Sequence, residues 1–302
     1  MNQALRLTAF DWLREQNIIH QGVIPRTILE QGFVVERTVI TLVGPSGIWK
    51  PRVFDLPLSI TSTSNGPYND EFTPEGFLLY RYRGTDPNHR DNVGLREAKR
   101  TRTPLIYFHG VIPGRYVPVW PVFIMDDQPQ QLSCLVAIDP AYALEGNASQ
   151  QRLFASIDQE SLVGVRRYVA AFAKHRLHQT SFRERVIAAY SETCALCRLR
   201  HRELLDAAHI IADTEPGGDP VIPNGLSLCK IHHAAYDQNI LGISPDHSIH
   251  VRQDVLDEVD GPMLQHGLKD LHRTSILLPS RRVDQPDRDR LAKRYDEFRK
   301  AV

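Results

Sequence analysis

Two short stretches decide how this chain is read: Cys194-Ala195-Leu196-Cys197 and, after 31 intervening residues, Cys229-Lys230-Ile231-His232-His233. Each supplies a pair of soft or borderline donors two residues apart. Two pairs give Cys194, Cys197, Cys229 and His232, the four ligands a closed tetrahedral structural zinc site takes. Between them, Leu204-Leu205-Asp206-Ala207-Ala208-His209 reads as a strand ending in a histidine. Glu215 to Pro220 is a loop rich in Gly and Pro, and Asn224-Gly225-Leu226-Ser227-Leu228 leads through a second strand into a helix start at Cys229–Asp237. A strand, loop, strand, helix unit of this size cannot bury a sufficient core, so the metal acts as its staple.

Working outward, the chain has 302 residues, 42% hydrophobic and 24% charged, with 36 basic and 36 acidic side chains. These values are close to globular averages and exclude collagen-like, disordered and disulfide-scaffold classes; the length suits about two domains. The longest apolar run, Pro104 to Met125, is broken by His109 and Arg115, short of the ~18 residues of a membrane span. No cleavable signal pattern opens the sequence, so a cytoplasmic location is expected, where cysteines serve metal binding or packing. Cys134, inside Leu132–Ile138, reads as a small buried apolar residue.

The net charge of zero is a sum of segregated parts. Arg81–Arg102 carries seven bases against three acids, Asp126–Glu160 six acids against one base, and Arg166–Arg202 nine bases against two acids. The basic segments, with Arg81, Arg83, Arg90, Arg96, Arg183 and Arg185, are expected to face a phosphate backbone, with binding that weakens steeply with salt.

The expected class is α+β. Short β-branched and aromatic segments fill the first 125 residues (Thr38–Val43, Leu56–Thr61, Gly76–Tyr82, Leu105–Phe108), preceded by a helix over Gln3–Gln16. Gly146–Ser149 is a turn signal, and helical patterning runs from Ser156 to Tyr190 with a break near Gln179-Thr180-Ser181. Leu291, Tyr295 and Phe298 form a helical packing stripe in the tail. The expected division is 1–150, a helical linker over 151–180, a second domain over 181–250, and a mixed tail over 251–302 packing upon it.

His209, Asn224 and His233, framed by the C-x2-C and C-x2-H-H pairs, resemble the His-Asn-His signature of the HNH endonucleases, which have a ββα-metal fold. The resemblance covers about Phe182 to Gly242 and implies hydrolysis of a nucleic-acid phosphodiester. It implies His209 as general base, Asn224 as a brace of the loop that orients His209, and His233 as a ligand of a catalytic Mg2+ or Mn2+ ion. Many members carry an acidic metal ligand directly before the base, where this chain has Ala208. Asp206 is the nearest acid, but strand alternation points it away from His209, so its service as a ligand calls for a bulge or turn. Asp237, one turn after His233, reads as a surface or capping carboxylate that could alternatively reach the site.

Gly47-Ile48-Trp49-Lys50-Pro51, Pro67-Tyr68-Asn69-Asp70-Glu71 and Leu79-Tyr80-Arg81-Tyr82-Arg83-Gly84 are similar to the SRA (YDG-type) domains, PUA-like β-barrels that flip a modified cytosine out of duplex DNA. That similarity covers about Pro45 to Ile124 and lacks the glycine after the aspartate. It implies a base pocket of Tyr68 and Asp70, with Trp49, Tyr80 and Tyr82 behind them, since an extruded base needs stacking faces and a polar edge reader. Together the resemblances imply a modification-dependent restriction endonuclease that cuts double-stranded DNA as a homodimer, without membrane attachment. A non-cleaving zinc-containing DNA-binding protein, and a nicking or RNA-processing nuclease, remain as alternatives.

Overall fold

Consecutive apolar positions in Leu105–Phe108 and Tyr116–Trp120 call for strands covered on both faces. The computed structural model describes residues 2–63, 71–139, 162–259 and 261–301 and divides into two units, Met1–Thr180 and Ser181–Val302. In the first, α1 (Asn2–Ile19), β1 (Ile24–Pro25) and α2 (Arg26–Gln31) precede a hairpin of β2 (Phe33–Val35) and β3 (Thr38–Ile40). Then come β4 (Ile48–Trp49), β5 (Ser59–Thr61), β6 (Glu71–Phe72), β7 (Leu78–Arg81), α3 (Arg90–Thr101), β8 (Leu105–Ile112), β9 (Arg115–Gln128), β10 (Ser133–Ile138) and α4 (Leu162–Ala189).

Eight strands make one sheet in the order β4-β5-β8-β9-β10-β7-β6, with β1 added on β9. Only β5 and β8 run parallel. Among the described residues the edge strands β4 and β6 do not pair with each other, and the sheet is a curled half-barrel.

Alternation along β8 and β9 explains their nearly unbroken apolar sequence. Leu105, Tyr107, Val117 and Val119 share a core with Leu95 and Ala98 of α3 and Val169, Ala173 and Leu177 of α4. Ile106, Phe108, Tyr116 and Trp120 meet Ala9, Phe10 and Leu13 of α1 on the opposite face. Each such large side chain, fully buried, contributes roughly 1.5–3 kcal/mol. Arg6 is buried with them; one guanidinium nitrogen donates to the carbonyls of Pro57 and Pro104, both at 2.9 Å.

Two expectations need correction here. Residues 166–180 are not a linker, because the i, i+4, i+8 series Val169, Ala173, Leu177 packs into the sheet's core. The break near Gln179 is absent: α4 runs unbroken from Leu162 to Ala189, since Gln179-Thr180-Ser181 contains neither Gly nor Pro to stop it. The Gly146–Ser149 turn and residues 151–161 lie outside the described residues.

In the second unit, β11 (Leu205–His209) pairs residue for residue with β12 (Gly225–Cys229) and leads to α5 (Lys230–Asp237). A second hairpin follows, β13 (Leu241–Ile243) with β14 (Ile249–Val251), then α6 (Gln253–Asp257), α7 (Pro262–Gly267) and α8 (Arg288–Lys300). Phe182, Val186 and Tyr190 of α4 share one core with Ala208 and Leu226 and with Val255, Ile276 and Leu291, so the tail helps build that core. A Cβ at Gly225 would stand 2.4 Å from Val186 Cγ2 and 2.9 Å from Phe182, so only glycine lets α4 approach here.

In the first unit His109 is enclosed beside Tyr107, whose hydroxyl lies 3.0 Å from its Nδ1. Burial, aided by the nearby His178, pushes its pKa from 6.5 down to about 4. As pH falls below 6.5 the unfolded chain takes up a proton that the folded chain refuses until about 4. Stability present above 6.5 is therefore lost progressively across that window. We expect the urea midpoint to fall between pH 7 and 5 less steeply in His109→Gln than in wild type; parallel slopes would refute this.

Candidate functional site

The C-x2-C knuckle, the end of β12 and the first turn of α5 bring four donors together. Ligand atoms of Cys194, Cys197, Cys229 and His232 all lie within 4.8 Å of one another, and among the described residues they are the one group of this kind. Cys197 Sγ is 4.0 Å from Cys229 Sγ, and His232 Nδ1 is 3.6 Å from Cys194 Sγ and 3.2 Å from Cys229 Sγ. A tetrahedron built on metal–sulfur bonds of about 2.3 Å has edges of about 3.8 Å, so the donors fit such an ion. His232 Nε2 lies 2.7 Å from the Gly267 carbonyl of α7. Donating there fixes the tautomer that leaves Nδ1 a lone pair for a metal. Hydrogen bonds from the Cys197 and Cys229 thiols outweigh burial and hold Cys194 below the ordinary thiol value, the direction that favours a thiolate ligand. The set could hold a zinc ion.

His209 ends β11, its ring stacked on Phe182 with centroids 4.1 Å apart. Its Nε2 is buried without a hydrogen-bond partner, and the residue lines the cleft. Burial pushes its pKa below 6.5 against the pull of Asp213, with His233 pushing the same way. Asn224, fully buried, clamps the chain just after His209. Its Nδ2 donates to the carbonyls of Ile211 (2.9 Å) and Asp219 (3.1 Å), and its Oδ1 accepts from the Ile211 N–H (2.9 Å).

His233, one residue after the cluster's histidine, is turned about 100° around the helix. It stands between two carboxylates, with Nδ1 3.4 Å from Asp206 Oδ2 and Nε2 3.4 Å from Asp237 Oδ2. The Asp206 contact outweighs burial and, with Asp237, raises its pKa. Asp206 is held low despite burial by His233, the Ala207 N–H and Arg183. No bulge was needed for this meeting. The strand is regular, and α5 lays His233 against the face that Asp206 already presents. Asp237 is exposed and also reaches the site, because one helical turn returns it to the face of His233.

His209, His233 and Asp237 line one open cleft of about 440 Å³. Asp213 and Glu215 enter it from the loop after β11, and Arg294 and Glu297 from α8. Sequence reasoning missed these four. The loop acids follow His209 directly, but nothing in the sequence ties α8 to a motif more than 50 residues upstream.

In the first unit the expected base pocket fares differently. Tyr80 and Tyr82 are core residues, 5% and 3% exposed, and offer no ring face to a base; burial against the sheet's core is the reason. Tyr80 donates to the Gly47 carbonyl at 3.0 Å. Trp49 is half-buried, with Nε1 donating to Thr41. Tyr68 and Asp70 lie outside the described residues.

The charge segments partly cancel in space. Arg96 pairs with Asp127 (2.8 Å) and Lys99 with Asp126 (3.0 Å), joining the basic segment to the acidic one. Arg183 binds Glu184 and the Leu205 carbonyl, and Arg185 the Ser181 and Pro220 carbonyls. Arg96, Arg183 and Arg185 thus spend part of their donors on partners within the fold. Arg81, Arg83 and Arg90 are exposed, Arg83 pairing with Asp91 at 2.6 Å.

Residues 194–244 match a family model described as HNH endonuclease, a span holding the whole cluster, His209, Asn224 and His233. No curated protein matches the chain. Among solved structures it is similar to a "Modification dependent TagI restriction endonuclease", at 13% identity over 80% of this chain and 81% of that one, with a TM-score of 0.29. No helix among the described residues is long and apolar enough to cross a membrane.

Removing an ion from the Cys3His cluster should release the junction of the knuckle, β12 and α7. We expect one thiolate-bound ion per chain by elemental analysis. A strong chelator should lower the melting temperature and open Cys194 and Cys229 to alkylation. Unchanged melting after complete ion removal would overturn the staple.

Proposed function

We propose that the chain is a metal-dependent endonuclease that hydrolyses phosphodiester bonds in duplex DNA, with modified cytosine as its target. One observation carries the catalytic reading: a half-buried imidazole and a second imidazole held between two carboxylates line the same cleft. The match of residues 194–244 to HNH endonucleases supports the reaction class.

In this reading zinc fills the Cys3His set, and a Mg2+ or Mn2+ ion is held by His233 with Asp206 or Asp237. A hydrated divalent ion needs only one or two such protein groups, and when bound it supplies stabilisation of charge on the phosphate and the leaving oxygen. His209, kept neutral near pH 7 by burial, takes a proton from the attacking water at Nδ1. Phe182 fixes the plane of its ring, and Asn224 fixes the backbone that follows. The two carboxylates favour the protonated form of His233, so a proton held there would have to leave before the imidazole could serve as a ligand. Cleavage should therefore fail at acid pH through His233 before His209 titrates.

His209→Ala should lower the cleavage rate by about 10²-fold or more while DNA binding and melting temperature hold. Cleavage by that variant at the wild-type rate would overturn the assignment of the base.

The modified-cytosine target rests on the resemblance of residues 45–124 to base-flipping readers, with Trp49, Tyr68 and Asp70 as pocket candidates. One centre per chain and two strands to cut call for a homodimer on DNA. Matched duplexes with cytosine, 5-methylcytosine, 5-hydroxymethylcytosine or glucosylated cytosine test this with magnesium, manganese and EDTA. Cutting confined to modified duplexes, abolished by EDTA, is expected, with two chains per duplex by mass. Equal cutting of all four removes modification dependence, and no cutting of any removes the endonuclease reading.

A further inference from the structure

The cleft has one wall that the HNH match does not include. Arg294 and Glu297 reach it from α8, 50 residues or more beyond position 244. Arg294 is the only lysine or arginine among the described lining residues, whereas Asp213, Glu215, Asp237 and Glu297 are acids. A phosphodiester entering this cleft meets an excess of negative charge. A divalent ion beside His233 offsets part of it, which leaves the non-bridging phosphate oxygens on the α8 side in need of a second cation.

Arg294 is built for that place. Its guanidinium lies 4.8 Å from the centroid of the Tyr236 ring, which orients its plane. One terminal nitrogen donates to Asn239 Oδ1 at 2.5 Å and the other to the Tyr236 carbonyl at 2.7 Å. Tyr236 lies in α5, the helix of His233, and Asn239 two residues beyond its end, so the guanidinium is indexed to the catalytic residues. A guanidinium carries five N–H donors, so two bonds leave three unspent. A fork held rigid before substrate arrives loses little freedom on binding an oxyanion. Glu297 lies 3.6 Å away and balances the charge while the cleft is empty of DNA.

We propose that Arg294 contacts a non-bridging oxygen of the scissile phosphate and stabilises the charge that develops there during cleavage. This rests on the endonuclease reading above. It adds a catalytic residue supplied by the C-terminal helix.

The test uses the full chain with magnesium and duplexes bearing an Rp or an Sp phosphorothioate at the mapped cut position. Arg294→Ala should lower kcat about 10²-fold, the usual cost of losing one such donor, with a smaller change in KM. In wild type, sulfur at the contacted oxygen should slow cleavage in one diastereomer. In Arg294→Ala that particular penalty should vanish, since the partner is already gone. Arg294→Lys, which keeps the charge and loses the fork, should recover part of the rate and serves if the alanine variant folds poorly. Sulfur penalties identical in wild type and both variants would make Arg294 a strut of α5 and overturn the proposal alone. A wild type inert toward every duplex would overturn the proposal together with the reading beneath it.

Discussion

Three sulfurs and one imidazole nitrogen drawn within 5 Å of one another set the geometry of the second unit. Cys194 and Cys197 come from the knuckle, Cys229 from the end of β12 and His232 from the first turn of α5, while Gly267 of α7 holds the imidazole from behind. A two-stranded hairpin and an eight-residue helix bury too little apolar surface to hold such an arrangement. An ion shared by these four donors would fix where α5 begins. Once that start is fixed, the azimuth of every later α5 residue follows from helix geometry, including His233 and Asp237.

The cleft shows how burial and charge divide labour between two histidines. His209 is sandwiched against an aromatic ring and loses water, so its proton affinity drops. His233 sits between carboxylates, which raises its affinity despite comparable burial. Two imidazoles in one cleft are thereby driven apart in basicity. The acids around them give the cleft an excess of negative charge.

The site was more legible in sequence than the fold that carries it. Ligand spacing is local, so Cys194, Cys197, Cys229 and His232 could be paired from positions alone, as could the strand-to-helix order around them. The meeting of Asp206 with His233 was not legible, because alternation along a strand says which face a residue takes, but not which helix will cover that face. The helix α3 and the long strand β9 escaped notice. The first is dense in charge, and the second, buried on both sides, shows continuous apolarity where a period of two would have marked it. The charge segments misled for a related reason. A run of like charge in sequence says nothing of the run lying across from it, and Lys99 and Arg96 find Asp126 and Asp127 there. Arg294 was invisible because its role comes from tertiary packing alone.

His232 and His233 are neighbours with separate duties, and the separation is purely angular. Substituting a residue such as Lys230 or Ile231 leaves that angle intact, since both face outward from the turn. Adding or deleting one residue between Cys229 and His233 would swing both imidazoles about the helix axis together, withdrawing the staple and the cleft ligand in one stroke. The segment is therefore permissive in composition and rigid in length. Among homologues of this unit, its alignment should admit many side chains there and no gaps.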